Sequence, residues 1–487
     1  MTRTMNATVA FFLWLAVIGF VPSTQAQEAP SQDTLARLPT SASSVTAVLA
    51  LPEKQRGDDI IGRPEFQTQR LAAKDGWAEI SVSTEPVWIV EGELPAQTSV
   101  SADASPFGFH PALAPGFGFD FAEHIGVRWH RPGLYLMWVL GQPDLSSDNY
   151  TWELFDRDVR AVPPGMRQMR NLCVCHDAMV QIPRRPLLEA VKRPQIDVSQ
   201  HVEGTTYRPK DVVKYQRWVR AVVERYDGDG VDDMPGLTAP IKYWQVDNEP
   251  PRRREGYADL VRITSQAVKE ADPTAKVLIG GLEIPFDDYR ERIYEREKLP
   301  ILQQLQGKGI DIVDLHWFGL LDEAMKLPKA IKRVRKDLKQ YGFENTSIWF
   351  TEMGTYSGTP RHRRGHPLPF QSERQQATEM VKRHVVALGE GIEKLFWAWG
   401  MIEGFVNVHD TDYFDNTGFV YDGIGPGDPG RGTEKIVYWT YQRMTGLLQQ
   451  WDGKPPEKVS LGEEVVCYRF RTAAADRAVL VVWQERH

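Results

Sequence analysis

The sequence predicts an eight-stranded parallel (β/α)8 barrel with a small β-rich side region built from the two chain ends. Three observations carry this expectation. From Phe107 to Gln450 short apolar runs alternate with amphipathic helical segments, the order that yields a parallel sheet. Eight such runs occupy these 344 residues, 43 per strand–helix unit, which suits closure into a barrel. An open, doubly wound sheet is the weaker alternative, because no glycine-rich phosphate loop follows an early strand.

The strands are expected at Phe107–His110, Gly126–His130, Asn171–His176, Ile241–Asn248, Lys276–Glu283, Ile310–Trp317, Ser347–Glu352 and Lys394–Trp399. Each is a short apolar run, as a strand buried on both faces requires. Between them, Val212–Tyr226 places apolar residues at i, i+3, i+4 and i+7, the stripe of a helix packed on a sheet. Gly256–Glu270, Leu321–Tyr341, Ser372–Leu388 and Glu434–Leu448 are expected as further helices. Ala78–Val90 has β-type alternation for one or two strands, and Gln27–Gly76 reads as a polar spacer. Lys458–Phe470 and Arg477–Trp483 read as a hairpin that joins the N-terminal strands in a side sheet. The expected organisation is a leader over 1–26, a spacer and β-rich segment over 27–105, the barrel over 106–452 and the hairpin over 453–487.

The first 26 residues read as a secretory signal peptide. Arg3 supplies a positive start, Ala7–Val21 an apolar stretch of 15 residues, and Thr24-Gln25-Ala26 the small residues of a cleavage site. The apolar stretch is short for a bilayer span. No later run approaches 18 uncharged apolar residues, so no membrane span is expected after leader removal. The protein is expected to be secreted or periplasmic. Across 487 residues the chain is 42% hydrophobic and 25% charged, with a net charge of −7. That is ordinary globular usage, and its mild, diffuse acidity argues against a nucleic-acid partner. Three cysteines make no disulfide framework. Cys173 and Cys175 lie too close along one strand to bridge without strain; Cys467 could pair with either, or all three stay as buried thiols.

The chemistry points to two glutamates. Trp244-Gln-Val-Asp-Asn248-Glu249-Pro250 ends the fourth strand and Ile348-Trp-Phe-Thr-Glu352-Met-Gly354 ends the seventh. In such barrels reactive groups sit at the carboxyl ends of the strands. Strands four and seven lie nearly opposite each other, so the two side chains can converge on one sugar. Paired carboxylates suit glycoside hydrolysis, in which one protonates the leaving oxygen and the other attacks the anomeric carbon.

On these motifs the chain resembles the retaining glycoside hydrolases of clan A, a superfamily of (β/α)8 (TIM) barrels, over roughly Phe107 to Gln450; family 39 is the most similar and family 5 next. The resemblance implies that Glu249 is the general acid/base, Glu352 the nucleophile and Asn248 the residue holding the substrate 2-hydroxyl. It implies substrate-binding positions at Arg128, which ends strand two, His176, which ends strand three, and His316, which ends strand six. It also implies a tryptophan floor at Trp397 or Trp399, which strand alternation would put on one face. It implies a carbohydrate substrate, β-type linkages, and no cofactor or metal.

Two loops are unusually basic: Arg252-Arg253-Arg254 after Glu249, and Arg361-His362-Arg363-Arg364-Gly-His366 after Glu352. In an acidic protein this placement suggests an anionic polysaccharide; a solvated loop paired with local acids is the plain alternative. Asp227-Gly-Asp229-Gly-Val-Asp232-Asp233 has the composition of a calcium loop but lacks the full EF-hand pattern, and a tight surface turn is expected. Transglycosylation on the same scaffold, or noncatalytic glycan binding, are the alternatives to hydrolysis.

Overall fold

The structure, a computed structural model, describes residues 33–52, 64–92, 94, 100–176, 207–250, 255–361, 366–404, 412–424, 428–473 and 477–485. The leader and most of both basic loops lie outside these residues.

Eight parallel strands close into a barrel: β1 (Phe107–His110), β2 (Trp129–His130), β3 (Arg167–Cys173), β4 (Tyr243–Val246), β5 (Lys276–Ile279), β6 (Ile312–Phe318), β7 (Ser347–Gly354) and β8 (Lys394–Ala398). Closure is direct, since Leu395 to Ala398 of β8 pair in parallel with Phe107 to His110 of β1. Two short strands, Leu136–Met137 and Leu282–Glu283, add to β3 and β6. All eight barrel strands overlap the runs read from sequence, β3 only over Asn171–Cys173. The helix at Val212–Tyr226 falls where its stripe places it, with Asp211 capping Lys214 N. Those at Tyr257–Ala271, Leu327–Gln340, Glu373–Gly389 and Ile436–Leu447 follow the expected pattern.

The barrel interior is layered. Its lower layer is apolar and aromatic: Trp129, Met169, Leu278, Ile312, Trp349 and Phe396, with Trp129 and Trp349 edge to face at 5.2 Å. Above it the inward positions turn polar, with Gln245 on β4, Asp314 on β6, Thr351 on β7 and Asn171 on β3, all fully buried. A polar layer under the mouth of a closed barrel costs desolvation unless every group is paired, so it marks the end of the barrel where chemistry belongs.

The chain ends form the side region. A six-stranded antiparallel sheet runs in the order Glu457–Lys458, Val465–Arg471, Ala478–Gln484, Val87–Glu91, Ser44–Leu49, Thr68–Ala72. Thr34–Pro39 pairs with Trp77–Val82 in a second, smaller sheet. Leu38, Ile80, Val45, Ile89, Cys467 and Leu480 pack between the two. Trp88, Phe470 and Trp483 on the other face join the core around the barrel. Arg374 on the Glu373–Gly389 helix ties the sheet down through both oxygens of Glu85 and the Pro52 carbonyl.

Two features depart from the sequence reading. Gln27–Gly76, read as spacer, contributes three strands, because its short alternating runs bury their apolar residues only once the C-terminal hairpin is alongside. Strand β3 ends at Cys173, so His176 lies beyond it. The three cysteines are buried, and burial pushes the Cys467 thiol up to about 12.

Candidate active site

The Asn248-Glu249 segment leaves β4 through strained backbone. Asp247 and Glu249 have φ of +59° and +38°, a region that non-glycine residues occupy rarely and that clusters at functional sites. Neighbours hold this turn in place. Asn171 Nδ2 donates to the Asp247 carbonyl at 2.9 Å, Tyr257 Oη to the Val246 carbonyl at 2.6 Å, and buried Lys298 Nζ to the Pro250 carbonyl at 3.1 Å.

On the opposite side, β7 carries a local irregularity. Its register against β6 shifts so that Leu315 pairs with Phe350 while His316 pairs with Glu352. Such a shift re-aims a side chain, and here both Thr351 and Glu352 reach the polar interior: Thr351 contacts Asp314 and Glu352 contacts Arg131. Side-chain oxygens of Glu249 and Glu352 lie within 4.8 Å of each other, with a ring nitrogen of His316 within the same distance of both. His316 Nδ1 is 2.8 Å from Glu249 Oε1 and 3.6 Å from Glu352 Oε2.

Glu352 is wholly buried. Burial pushes its carboxyl above the ordinary range, opposed by His316 and Arg131 and reinforced by Glu249. Arg131 Nη1 donates to Glu352 Oε1 at 2.5 Å, a charge-assisted contact that favours the ionised form. Among the described residues Glu352 Oε2 has no hydrogen-bond partner, which leaves one carboxylate oxygen uncommitted. Arg131 is itself fixed: Nε donates to Gln245 Oε1 at 3.1 Å and Nη2 to Asn248 Oδ1 at 2.6 Å. One guanidinium therefore spans both glutamate-bearing segments.

The surroundings push the two imidazoles in opposite directions. Burial opposes the charged form of His316, but Glu352, Asp314 and Glu249 outweigh it and raise the group to about 10. Burial and Arg131 hold His110 well below the ordinary value. His110 Nδ1 donates to the Arg131 carbonyl at 2.8 Å, and its Nε2 is 3.6 Å from Glu352 Oε1.

The structure brings Glu249, Glu352, Asn248 and His316 into one cluster. Arg128 is elsewhere: it precedes β2, bonds the Val127 carbonyl, and lines a depression with Asp103, Glu123 and Arg167. Arg131, three residues on, holds the position expected of it. His176 contacts the segment that follows β2, with Nε2 donating to the Gln142 carbonyl at 2.9 Å and its ring edge-to-face with Trp138. Trp397 is corrected too. Phe396 points into the barrel, so Trp397 points outward, stacked on His384 at 6.1 Å and donating to the Thr417 carbonyl. Strand β8 ends at Ala398, so alternation does not extend to Trp399. The Trp399 ring lies 4.2 Å from His110 at the mouth, among Phe318, Tyr356 and Tyr413. His110 itself was missed, although its signal was present in a histidine at the carboxyl end of the first apolar run. Tyr135, on the segment Leu134–Asp148, also reaches the site, with its hydroxyl 3.4 Å from Arg131 Nη2.

Glu249, His316 and Glu352 bring three possible ligand atoms within 4.8 Å of one another. Asp227, Asp229 and Asp233 also converge. Their oxygens accept from the backbone N–H groups of Asp229, Val231, Gly228 and Gly230, the arrangement of a tight turn.

No family model matches the chain and no curated protein matches it in sequence. Solved structures do. A family 39 glycoside hydrolase from the gut symbiont Bacteroides cellulosilyticus WH2 aligns over 90% of this chain and 85% of its own, at 12% identity and a TM-score of 0.52. A glucosidase from Croceicoccus marinus aligns over 78% of this chain and 77% of its own, at 18% identity and a TM-score of 0.51. What the chain shares with these glycoside hydrolases is a fold.

Proposed function

We propose that the protein is a retaining glycoside hydrolase. The observation that carries this reading is the approach of the Glu249 and Glu352 oxygens to within 4.8 Å from nearly opposite strands. Retaining enzymes hold their carboxyl groups about 5–5.5 Å apart, whereas inverting enzymes leave room for a water between them. Glu249 donates a proton to the glycosidic oxygen as the C–O bond breaks and its electron pair moves to that oxygen. A Glu352 oxygen forms the new bond to the anomeric carbon. Water, deprotonated by Glu249, then releases the sugar. Asn248, held by Arg131, is the residue placed to bond the sugar beside the reacting carbon, and Trp399 is the aromatic surface at the mouth.

The same covalent intermediate serves transglycosylation, and adding acceptor sugars to look for longer products separates the two outcomes. An anionic polysaccharide is favoured by the arginine runs at 252–254 and 361–364 in a chain of net charge −7. Among the described residues no helix is long and apolar enough to cross a membrane. The leader read at residues 1–26 supports export. The test is the anomeric configuration of the first-formed product, followed by proton NMR. Retention is expected; inversion would contradict the assigned roles.

A further inference from the structure

We propose that Asp314 is a positioning residue which, together with Thr351, fixes Nε2 of His316 as a hydrogen donor and so leaves Nδ1 to share a single proton with Glu249. The inference rests on Glu249 being the acid/base.

The hydrogen-bond inventory leads there in three steps. The Thr351 hydroxyl has one hydrogen, and it donates to Asp314 Oδ2 at 2.7 Å. Thr351 N donates to Asp314 Oδ1 at 2.9 Å, so both oxygens of this buried carboxylate are tied to β7. His316 Nε2 lies 3.2 Å from the Thr351 hydroxyl oxygen and 3.3 Å from Asp314 Oδ2. With the hydroxyl hydrogen spent on Asp314, Nε2 faces only acceptors and must carry its own hydrogen. The hydrogen bond on one ring nitrogen sets the role of the other, so Nδ1 is the nitrogen that varies. It faces Glu249 Oε1 at 2.8 Å.

Two arrangements of that contact contain the same number of protons. In one, protonated Glu249 donates to the Nδ1 lone pair. In the other, imidazolium Nδ1–H donates to the Glu249 carboxylate. Once the shared proton has passed to the glycosidic oxygen, a lone pair faces a carboxylate across 2.8 Å. That repulsion raises the basicity of Glu249 for the second step, when it takes a proton from water. Asp314 supplies the negative charge that keeps the shared proton in place beforehand. Gln245 Nε2 on β4 also donates to Asp314 Oδ2, which leaves that oxygen an acceptor toward His316. Glu352 on β7 adds a negative charge at 3.6 Å, Arg131 and His110 lie on the far side of Glu352, and Gly281 after β5 presents only backbone. A Cβ at Gly281 would fall 2.0 Å from His316 Nε2, so the ring has one seat.

The test is Asp314→Asn, with Thr351→Val as the milder variant should the first fold poorly. Aryl glycosides with poor leaving groups are expected to slow by roughly 10²-fold in kcat/KM, the scale of general-acid assistance, while dinitrophenyl glycosides, whose departure needs no proton, keep their kcat/KM, which reports the first step alone. The alkaline limb of kcat/KM is expected to move down by about one pH unit or more, one unit being the ~1.4 kcal/mol of a single lost charge contact. Equal slowing of both leaving groups with an unmoved limb means a merely structural Asp314 and overturns the proposal. Nitrogen-15 NMR of labelled histidine, with His316→Gln for assignment, reads the imidazole without turnover. His316 is expected to carry hydrogen on Nε2 and to titrate well above 6.5 in the wild type but not in Asp314→Asn. A neutral Nδ1–H form in the wild type overturns the proposal. If no glycoside is hydrolysed at all, the acid/base reading fails, while the NMR result still decides whether Asp314 governs His316.

Discussion

Glu352 is a carboxylate with no solvent exposure, and a buried charge survives only with a partner. Arg131 is that partner, and it binds Asn248 with the same guanidinium. Arg131→Ala is therefore expected to destabilise the fold by about 3–5 kcal/mol, the usual result of stranding one member of a buried pair, and to abolish turnover. Lysine should not rescue it, since a compact ammonium cannot span the four acceptors that the planar guanidinium reaches. Arg128→Ala should leave turnover intact, because Arg128 touches neither glutamate-bearing segment in its described contacts. Chemical denaturation and product release on the three variants check this. The contrast also shows what a sequence can reveal at this scale. Glu249, Asn248, Glu352 and His316 were legible because each ends an apolar run. Arg131 was not, because β2 has only two paired residues and its end cannot be located from so short a run.

At the scale of elements, two local features aim the chemistry. The register shift between β6 and β7 lets Thr351 and Glu352 both reach the polar interior. The absence of a side chain at Gly281 lets His316 lie across the end of β5. Gly281→Ala is expected to fold, to displace the imidazole, and to lower kcat more than it raises KM; an unchanged kcat would mean the ring relocates without consequence. Strand positions were readable from apolar runs, and helix positions from their stripes. Strand parity was not. The resemblance implies a binding surface at Trp397, yet Phe396 takes the inward position and turns Trp397 toward the helices. The N-terminal strands were also hidden, since their partner lies at the other end of the chain.

For the whole molecule, one apolar core runs from the barrel strands through its helices into the side sheet, including Trp88, Phe470 and Trp483. Heat or denaturant should thus unfold barrel and side sheet in a single transition, and a chain truncated at residue 452 should fail to fold. Two separated transitions by tryptophan fluorescence and circular dichroism would show independent units. The charge arrangement also sets how stability depends on pH. His316 is raised from 6.5 to about 10, so the folded state binds the extra proton. Its contribution is complete below pH 6.5 and is lost as pH climbs toward 10. Lys394 runs the other way, because burial lowers it from 10.5 to about 8 and its penalty on the folded state fades as pH rises. The difference in stability between wild type and His316→Gln isolates the first effect. It should shrink steadily from pH 6.5 to 10, and a flat difference would mean that His316 is neutral in the folded state.

The most direct test of the central claim is sugar release from a panel of neutral and acidic polysaccharides by the wild type, Glu249→Gln and Glu352→Gln. The expected result is release from one glycan class by the wild type, with both variants inactive on it and still folded. Wild-type hydrolysis that survives in Glu352→Gln would contradict the account. Binding of a glycan without cleavage by any of the three would move the protein from catalysis to glycan recognition.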